Sequence, residues 1–410
     1  MPHLKSSVEE EYIKTPPKEQ LFYQFLGKMM SLWSLGNQSW WGYKPHGLYV
    51  KINSAFVPVI GPPCLISQFV YLYQNFSKLS MSTLGVIFTM IPMTFLVNVK
   101  VRVHKTKKYK KLMKVFLSEI HLYNFIEDDN NVKQIVIRIE RYTRWMAYCV
   151  VMLVTVNWLS WAVIPIVNNL KFKDDVQNKT MQLQTSLYMW MPFDYEHDYQ
   201  NWIIIHSFNI YLIAIGCALL SIPDVINYVF LFHLVGHVTL LNHRIVSRLS
   251  FELTDKEVEE RLKDVVEYHT FINKLFKDVE SVFGVNISIN YLNNLIVDSL
   301  LLFQSINQEK GDTTMFIYGV AFVICMGGLI LMSFILEEIR NQSDVLPDSL
   351  YGVPWENWSI PNKKSFLTIL TRLQPELSFV AAGGLRTGVT PMISIIKSTF
   401  SYYVMLKSTI

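Results

Sequence analysis

Residues 390–410 read TPMISIIKSTFSYYVMLKSTI, a stretch too apolar for a surface helix and too polar for an ordinary membrane span. With RTGV directly before it, a membrane-spanning length of helix holds Arg386, Lys397 and Lys407 among scattered Ser and Thr. The rest of the chain decides how it is read.

The 410 residues are 51% hydrophobic and 14% aromatic, with 17% charged. That balance is too apolar for two or three soluble domains and fits an all-α polytopic membrane protein. A hydrocarbon core about 30 Å thick needs roughly 20 helical residues with few charges. Six runs qualify, at 52–77, 79–99, 145–170, 199–223, 281–308 (interrupted by Asp298) and 313–336, and the C-terminal stretch makes a seventh. MPHLKSSVEEEYIK at the N-terminus has no apolar core, so no cleaved signal peptide is expected and the first span acts as its own insertion signal. Cys64, Cys149, Cys217 and Cys325 all fall in spans without zinc or redox spacing, which reads as packing, with no metal or cofactor.

Lys and Arg alternate between connections: the N-terminus and the second, fourth and sixth connections carry 29, the other three carry 5. Basic loops stay inside, so seven transmembrane helices leave the N-terminus cytoplasmic and the C-terminus extracellular. A G-protein-coupled receptor has the opposite orientation. The chain also lacks an acidic-Arg-Tyr triplet after the third span and Asn-Pro-x-x-Tyr in the seventh, so no G protein is required. The sequon Asn178-Lys179-Thr180 falls in a predicted outer loop, in agreement.

The expected organisation is a cytoplasmic segment 1–51, then helices 1–6 over 52–340 with cytoplasmic helical extensions at about 100–144 and 225–285. A cytoplasmic loop and short helix follow over 341–376, and the last helix over 377–410. KVRVHKTKKYKKLMK from Lys100 directly follows a span, so it reads as a partner of anionic lipid headgroups and not of nucleic acid. Beyond Asp224 the fourth helix stays apolar to His243. Thr254 and Glu257 form a capping-box pattern, and behind it Val258, Leu262, Val265, Ile272, Phe276, Val279 and Phe283 make a heptad-like seam broken by His269. Such a seam packs on a helix of the same chain or of a neighbour. His233 and His237 share a helical face, but without an acidic or Cys partner at ligand spacing they read as packing histidines. Residues 341–361 read as an irregular loop, and NKKSFLTILTRLQ as a short amphipathic helix.

On a wheel at about 100° per residue, Thr387, Thr390, Ser394, Lys397, Ser398, Ser401, Ser408 and Thr409 share one arc, with Met405 inside it. Met392, Ile395, Ile396, Thr399, Phe400, Tyr403 and Leu406 lie opposite. A polar stripe in a span faces a bundle interior or water. Either hydroxyls glue helices within one chain, or copies from several chains surround a pore that an apolar ring at Met405 closes by dewetting.

AAGG at Ala381–Gly384, followed by ISIIKSTFSYYVMLK at Ile393–Lys407, resembles the C-terminal signature of the insect odorant receptor family. The resemblance implies an odorant-gated, non-selective cation channel in the plasma membrane of a sensory neuron, built as a heterotetramer with a co-receptor subunit, the last helices lining one pore. It implies a gate at Met405, where the family commonly has Val, with Ser408 and Thr409 further out and Ser401, Lys397 and Ser394 along the pore. The co-receptor's long insertion between the fourth and fifth spans is absent, which points to a tuning subunit. It also implies that the cytoplasmic extensions, the Val258–Phe283 seam included, anchor subunits to one another.

A volatile, mostly apolar ligand needs an apolar cavity with one or two polar groups. By resemblance this lies in the outer half of the bundle. From topology, candidates are Ile87 and Phe88; Val154, Asn157, Trp158 and Trp161; His206, Asn209, Ile210 and Ile213; Phe316 and Val320. Asn157, His206 and Asn209 are positioned either to bond an oxygenated ligand or to bond within the protein. The competing reading is a proton- or solute-coupled transporter using Asp224 and Asp298, isolated acids in apolar stretches, although no internal repeat supports it. No paired carboxylates or activated nucleophile indicate an enzyme.

Overall fold

A computed structural model describes residues 14–45, 47–171, 182–249, 253–307 and 314–408. Asn178 of the sequon and Thr409 lie outside them. In chain order the main helices are α1 (Leu21–Leu32), α2 (Leu48–Asn75), α3 (Met81–Val103), α4 (Lys107–Val115), α5 (Asn130–Lys171) and α6 (Tyr199–Arg248). They continue with α7 (Asp255–Asn307), α8 (Thr314–Asp344), α9 (Leu346–Tyr351), α10 (Ile360–Leu373) and α11 (Val389–Ser408). Before α11 comes a small antiparallel pair, β1 (Val380–Ala381) and β2 (Leu385–Arg386).

Among the described residues, five helices are long and apolar enough to cross a membrane: Leu48–Lys78, Thr83–Val103, Asn130–Lys171, Tyr199–Arg248 and Met315–Tyr351. The two others read as spans from sequence fall below that measure for a common reason. Asn286, Asn290, Asn293, Asn294 and Asp298 dilute α7, and Lys397 with its Ser and Thr neighbours dilutes α11. Pro58, Pro62 and Pro63 sit inside α2, which a membrane helix tolerates because neighbouring helices can satisfy the freed carbonyls.

α6, 50 residues long, continues past Asp224 as expected. α7 opens on the capping box: Thr254 N–H donates to Glu257 Oε2 at 2.8 Å and Glu257 N–H returns to Thr254 Oγ1 at 3.4 Å. The seam behind it, Val258 to Phe283, is wholly buried in the chain's own core. Of the two packing readings, the seam is spent within the chain. What α7 leaves to a neighbour is the other face, with Val266, Lys263 and Glu267 exposed.

One sequence expectation changes and two gain detail. Residues 341–361 are not irregular throughout, since α8 runs to Asp344 and α9 follows; Pro347 is in the first turn of α9, where a missing N–H costs nothing. The N-terminal segment contains α1, with Phe22, Tyr23, Leu26 and Met30 in the core. The basic run after α3 forms α4, which buries Tyr109, Leu112 and Met113 while Lys107, Lys108, Lys110, Lys111 and Lys114 stay exposed.

Candidate functional site: an apolar cavity and an exposed polar helix

α2, α3, α5, α6, α7 and α8 line a cavity of about 500 Å³. Its walls are mostly apolar, including Val57, Met90, Met93, Val154, Trp161, Leu187, Ile213 and Ala321. Polar atoms enter at two levels. Asn157 lines the wall with its amide nitrogen 4.0 Å from Cys217 Sγ, and its Oδ1, like the hydroxyl of Thr89, has no partner among the described residues. At the other level Lys100 Nζ donates to Asp224 Oδ1 at 2.9 Å and to Leu220 O at 2.9 Å. Asn286 and Asn290 of α7 donate to the same Asp224 oxygen at 3.3 and 2.9 Å. This carboxylate is therefore a closed junction of three helices. The isolated acid expected at 224 is not isolated, whereas the carboxylate oxygens of buried Asp298 have no partner among the described residues.

Of the twelve ligand candidates, Val154, Asn157, Trp161 and Ile213 line the cavity. The others are placed elsewhere. Ile87 is buried in an adjoining apolar cluster, Phe88 and Phe316 are exposed, and Ile210 and Val320 are half-buried off the cavity. Trp158 donates to Ile210 O at 3.1 Å. His206 donates to Ala162 O at 3.0 Å and stacks on Trp202, the ring centroids 4.7 Å apart. Asn209 donates to Thr185 Oγ1 and Leu187 O, both at 2.9 Å. Two of the three polar candidates thus spend their donors inside the protein, and Asn157 alone of them faces the cavity. Missed from sequence were Thr89 and Met93 on α3 and the amides of α7. The signal was there in Asn286, Asn290, Asn293 and Asn294, whose spacing of three and four puts amides along one helical face.

α11 begins after a turn that needs glycine. Gly383 and Gly384 have φ of +78° and +76°, where a side chain is strained, and a Cβ on Gly284 of α7 would come 3.3 Å from Ala382 N. Ser394, Lys397, Ser401, Met405 and Ser408 are exposed on the single chain, while Met392 and Thr399 are buried against it. Ser394, Ser401 and Ser408 donate back to Thr390 O, Lys397 O and Met405 O. Their hydroxyl oxygens still line the exposed face.

One group of metal-type ligands comes together among the described residues: His121, Glu140 and His233, all buried. Glu140 is the acidic partner that helical spacing around His233 could not reveal, because α5 supplies it from elsewhere in the chain. Its Oε1 lies 3.1 Å from His121 Nε2 and 3.2 Å from His233 Nε2, with the Tyr23 hydroxyl at 3.2 Å. His121 Nδ1 accepts Tyr123 N–H at 3.1 Å, so its proton is on Nε2, facing Tyr23 and Glu140. His233 Nδ1 donates to Val229 O at 2.8 Å, and its Nε2 is the ring nitrogen that faces Glu140. A metal here would require His121 to give up its Nε2–H. Glu140 precedes the apolar part of α5. Burial opposes its ionisation, yet His121 and then His233 outweigh that and hold the carboxyl well below the usual range.

The family model described as 7tm Odorant receptor matches residues 80–400. The chain belongs to the insect odorant receptor family. The putative odorant receptor 85d of Drosophila melanogaster is 20% identical over 98% of this chain and 97% of its own length. Odorant receptor 13a of the same fly is 24% identical over 57% of this chain and 59% of its own. The structure of the insect olfactory receptor OR5 from Machilis hrabei in complex with eugenol superposes with a TM-score of 0.76 at 15% identity, covering 95% of this chain and 98% of that one. An odorant receptor of this family is a multi-pass plasma-membrane protein and a ligand-gated channel, not an enzyme.

Proposed function

We propose that this odorant receptor is the ligand-sensing subunit of a heteromeric, non-selective cation channel. It would span the membrane seven times with its N-terminus inside, and open a pore lined by α11 when a small, mostly apolar ligand enters the cavity. The observation that carries this reading is the cavity itself, about 500 Å³, apolar, bounded by six helices and bearing a few polar atoms. Support for the pore comes from the exposed hydroxyl face of α11, which lipid would not solvate.

In this reading Met405 is the gate and Ser408, Thr409, Ser401, Lys397 and Ser394 line the path. A co-receptor subunit completes the tetramer, the exposed face of α7 beside the seam contributing to the anchor. The connection between α6 and α7 is short, Arg248 to Asp255, which favours a tuning subunit over the co-receptor. OR5 was solved with eugenol, so a phenol of that size is a reasonable first probe. The transporter reading now rests on Asp298 alone, since Asp224 is held by Lys100 and two asparagines.

Co-expression with an insect co-receptor and whole-cell recording across an odorant panel tests the proposal. Ligand-evoked cation current that needs both subunits supports it. Solute flux that needs no second subunit and collapses in Asp298→Asn would replace it by the transporter reading.

A further inference from the structure

Tyr291 stands where the cavity wall meets the start of α11. Its side chain lines the cavity from α7, is buried, and reaches with its hydroxyl to 2.5 Å from Ser333 Oγ on α8. Ser333 donates its own proton to Leu329 O at 2.8 Å. The Tyr291–Ser333 bond is therefore donated by the tyrosine, and the tyrosine oxygen is left to accept. What it accepts is Gly388 N–H, at 3.4 Å. One residue on, Val389 N–H donates to Glu337 Oε2 at 3.2 Å.

The first turn of a helix leaves N–H groups without intrahelical partners, and its positive end favours a carboxylate. Here a hydroxyl from α7 and a carboxylate from α8 take two of them, so the position of α11 depends on where Tyr291 and Glu337 stand. Gly388 has φ +111°, and a Cβ there would come 2.6 Å from Glu337 Oε2, so the fit is close. Asn290, next to Tyr291, is tied through Asp224 to Lys100 of α3. Two adjacent residues of α7 thus connect the cavity's polar end to the root of the exposed polar helix.

We propose that Tyr291 is the positioning residue that couples the cavity to α11. Its ring senses what fills the cavity, and its hydroxyl transmits the displacement by holding or releasing Gly388 together with Ser333. The proposal rests on the channel reading above. A ligand shifts α11 only through unequal affinity for the two arrangements, and a residue that touches both the cavity and the helix start supplies such a difference directly.

The test uses the full chain co-expressed with a co-receptor, with eugenol as probe or, where it evokes no current, the strongest activator of the odorant panel. Tyr291→Phe keeps the ring and removes the hydroxyl. The expected result is a change of roughly 3- to 10-fold in the ratio of ligand-free to maximal current, the effect of about one hydrogen bond. Half-saturation in a ligand-induced thermal-shift titration should stay within about twofold, because the cavity wall is intact. Ser333→Ala should produce the same gating change, and the double variant should go no further than either single one. Should Tyr291→Phe fail to reach the membrane, Ser333→Ala alone carries the gating measurement. Wild-type-like gating in the variants, additive effects, or equal shifts of binding and gating would overturn the coupling role while leaving the channel reading standing. A wild-type complex in which no compound of the panel evokes current would overturn both.

Discussion

Lys100 Nζ lies 2.9 Å from Asp224 Oδ1 and is 1% exposed, so α3 and α6 are joined by a nearly dry ion pair at one end of the cavity. Removing one partner strands the other charge, and stranding costs far more than the pair contributes. Asp224→Asn is expected to destabilise by about 3 kcal/mol, the low end of the range for breaking such pairs, since Asp224 is 24% exposed. Replacing both partners, Lys100→Met with Asp224→Leu, should recover most of the loss. Thermal unfolding of the purified protein in nanodiscs checks this, and a double variant no better than Asp224→Asn would sink the argument.

The histidines at the basic end of the bundle predict an acid-sensitive fold. His237 donates from Nε2 to Ile120 O at 2.7 Å and accepts Tyr268 O–H at Nδ1, a neutral arrangement in a dry pocket. Burial pushes its pKa down to about 3 and lowers that of His121 as well. A lowered histidine stays neutral in the fold while the unfolded chain takes up a proton, so its stabilisation is complete above the ordinary value of 6.5 and is lost as pH falls below it. Glu140, held low, adds loss in the same direction only below its ordinary 4.5. Melting temperature should be level above about pH 7 and fall steadily below about 6.5, with a shallower fall in His237→Gln. A flat profile down to about pH 5 would contradict it.

Asn157 is the polar candidate that faces the cavity with an oxygen unpartnered among the described residues. Asn157→Leu should raise the half-maximal concentration of hydroxyl- or carbonyl-bearing activators about tenfold, the effect of one buried hydrogen bond. Hydrocarbon activators of similar size should change little. His206 and Asn209 bond within the protein, so their alanine variants should lower surface expression without sorting ligands by polarity. Dose–response curves over matched alcohol and alkane pairs decide between these outcomes.

How far the sequence reached follows from where each signal lay. Helices with local signatures were legible: the capping box at Thr254 and Glu257, the continuation of α6 past Asp224 and the amphipathic α10 each depend on neighbours in sequence. The faces of α11 were legible in part: Met392 and Thr399 turn inward while Ser401 and Met405 do not, but Phe400, read as part of the opposite face, is 53% exposed. What sequence missed depends on partners far along the chain. Glu140 reaches His233 from another helix, Asn290 reaches Asp224 across α7 and α6, and no spacing rule connects such positions. The same limit explains the ligand candidates. Helical depth placed Trp158 next to Asn157 of the cavity wall, while His206 lies more than a turn from Leu212, where the lining of α6 begins; rotation about each axis then decides whether a side chain meets the cavity or a carbonyl.

Met405 lies on the exposed polar face of α11, between Ser401 and Ser408, and is 54% exposed on the single chain. Met405 and the residues at its level on the last helices of the other subunits would make an apolar collar in a path otherwise lined by hydroxyls, and water leaves a narrow apolar collar readily, which interrupts ion flow without a solid plug. Met405→Ser removes the collar while keeping the helix, and is expected to raise ligand-free current at least about tenfold relative to maximal current, for a closing bias of about 1.4 kcal/mol. Met405→Val keeps an apolar ring and should retain gating. Tyr403 supplies the control: it sits near the same depth, but two residues' rotation, about 200°, turns it onto the opposite, half-buried face. Tyr403→Ser should leave the closed state tight. Whole-cell recording with the permeant cations replaced by a large organic cation separates this leak from seal leak. Equal leak from both serine variants would mean that depth and not orientation matters, and Met405 would lose its assignment as the gate.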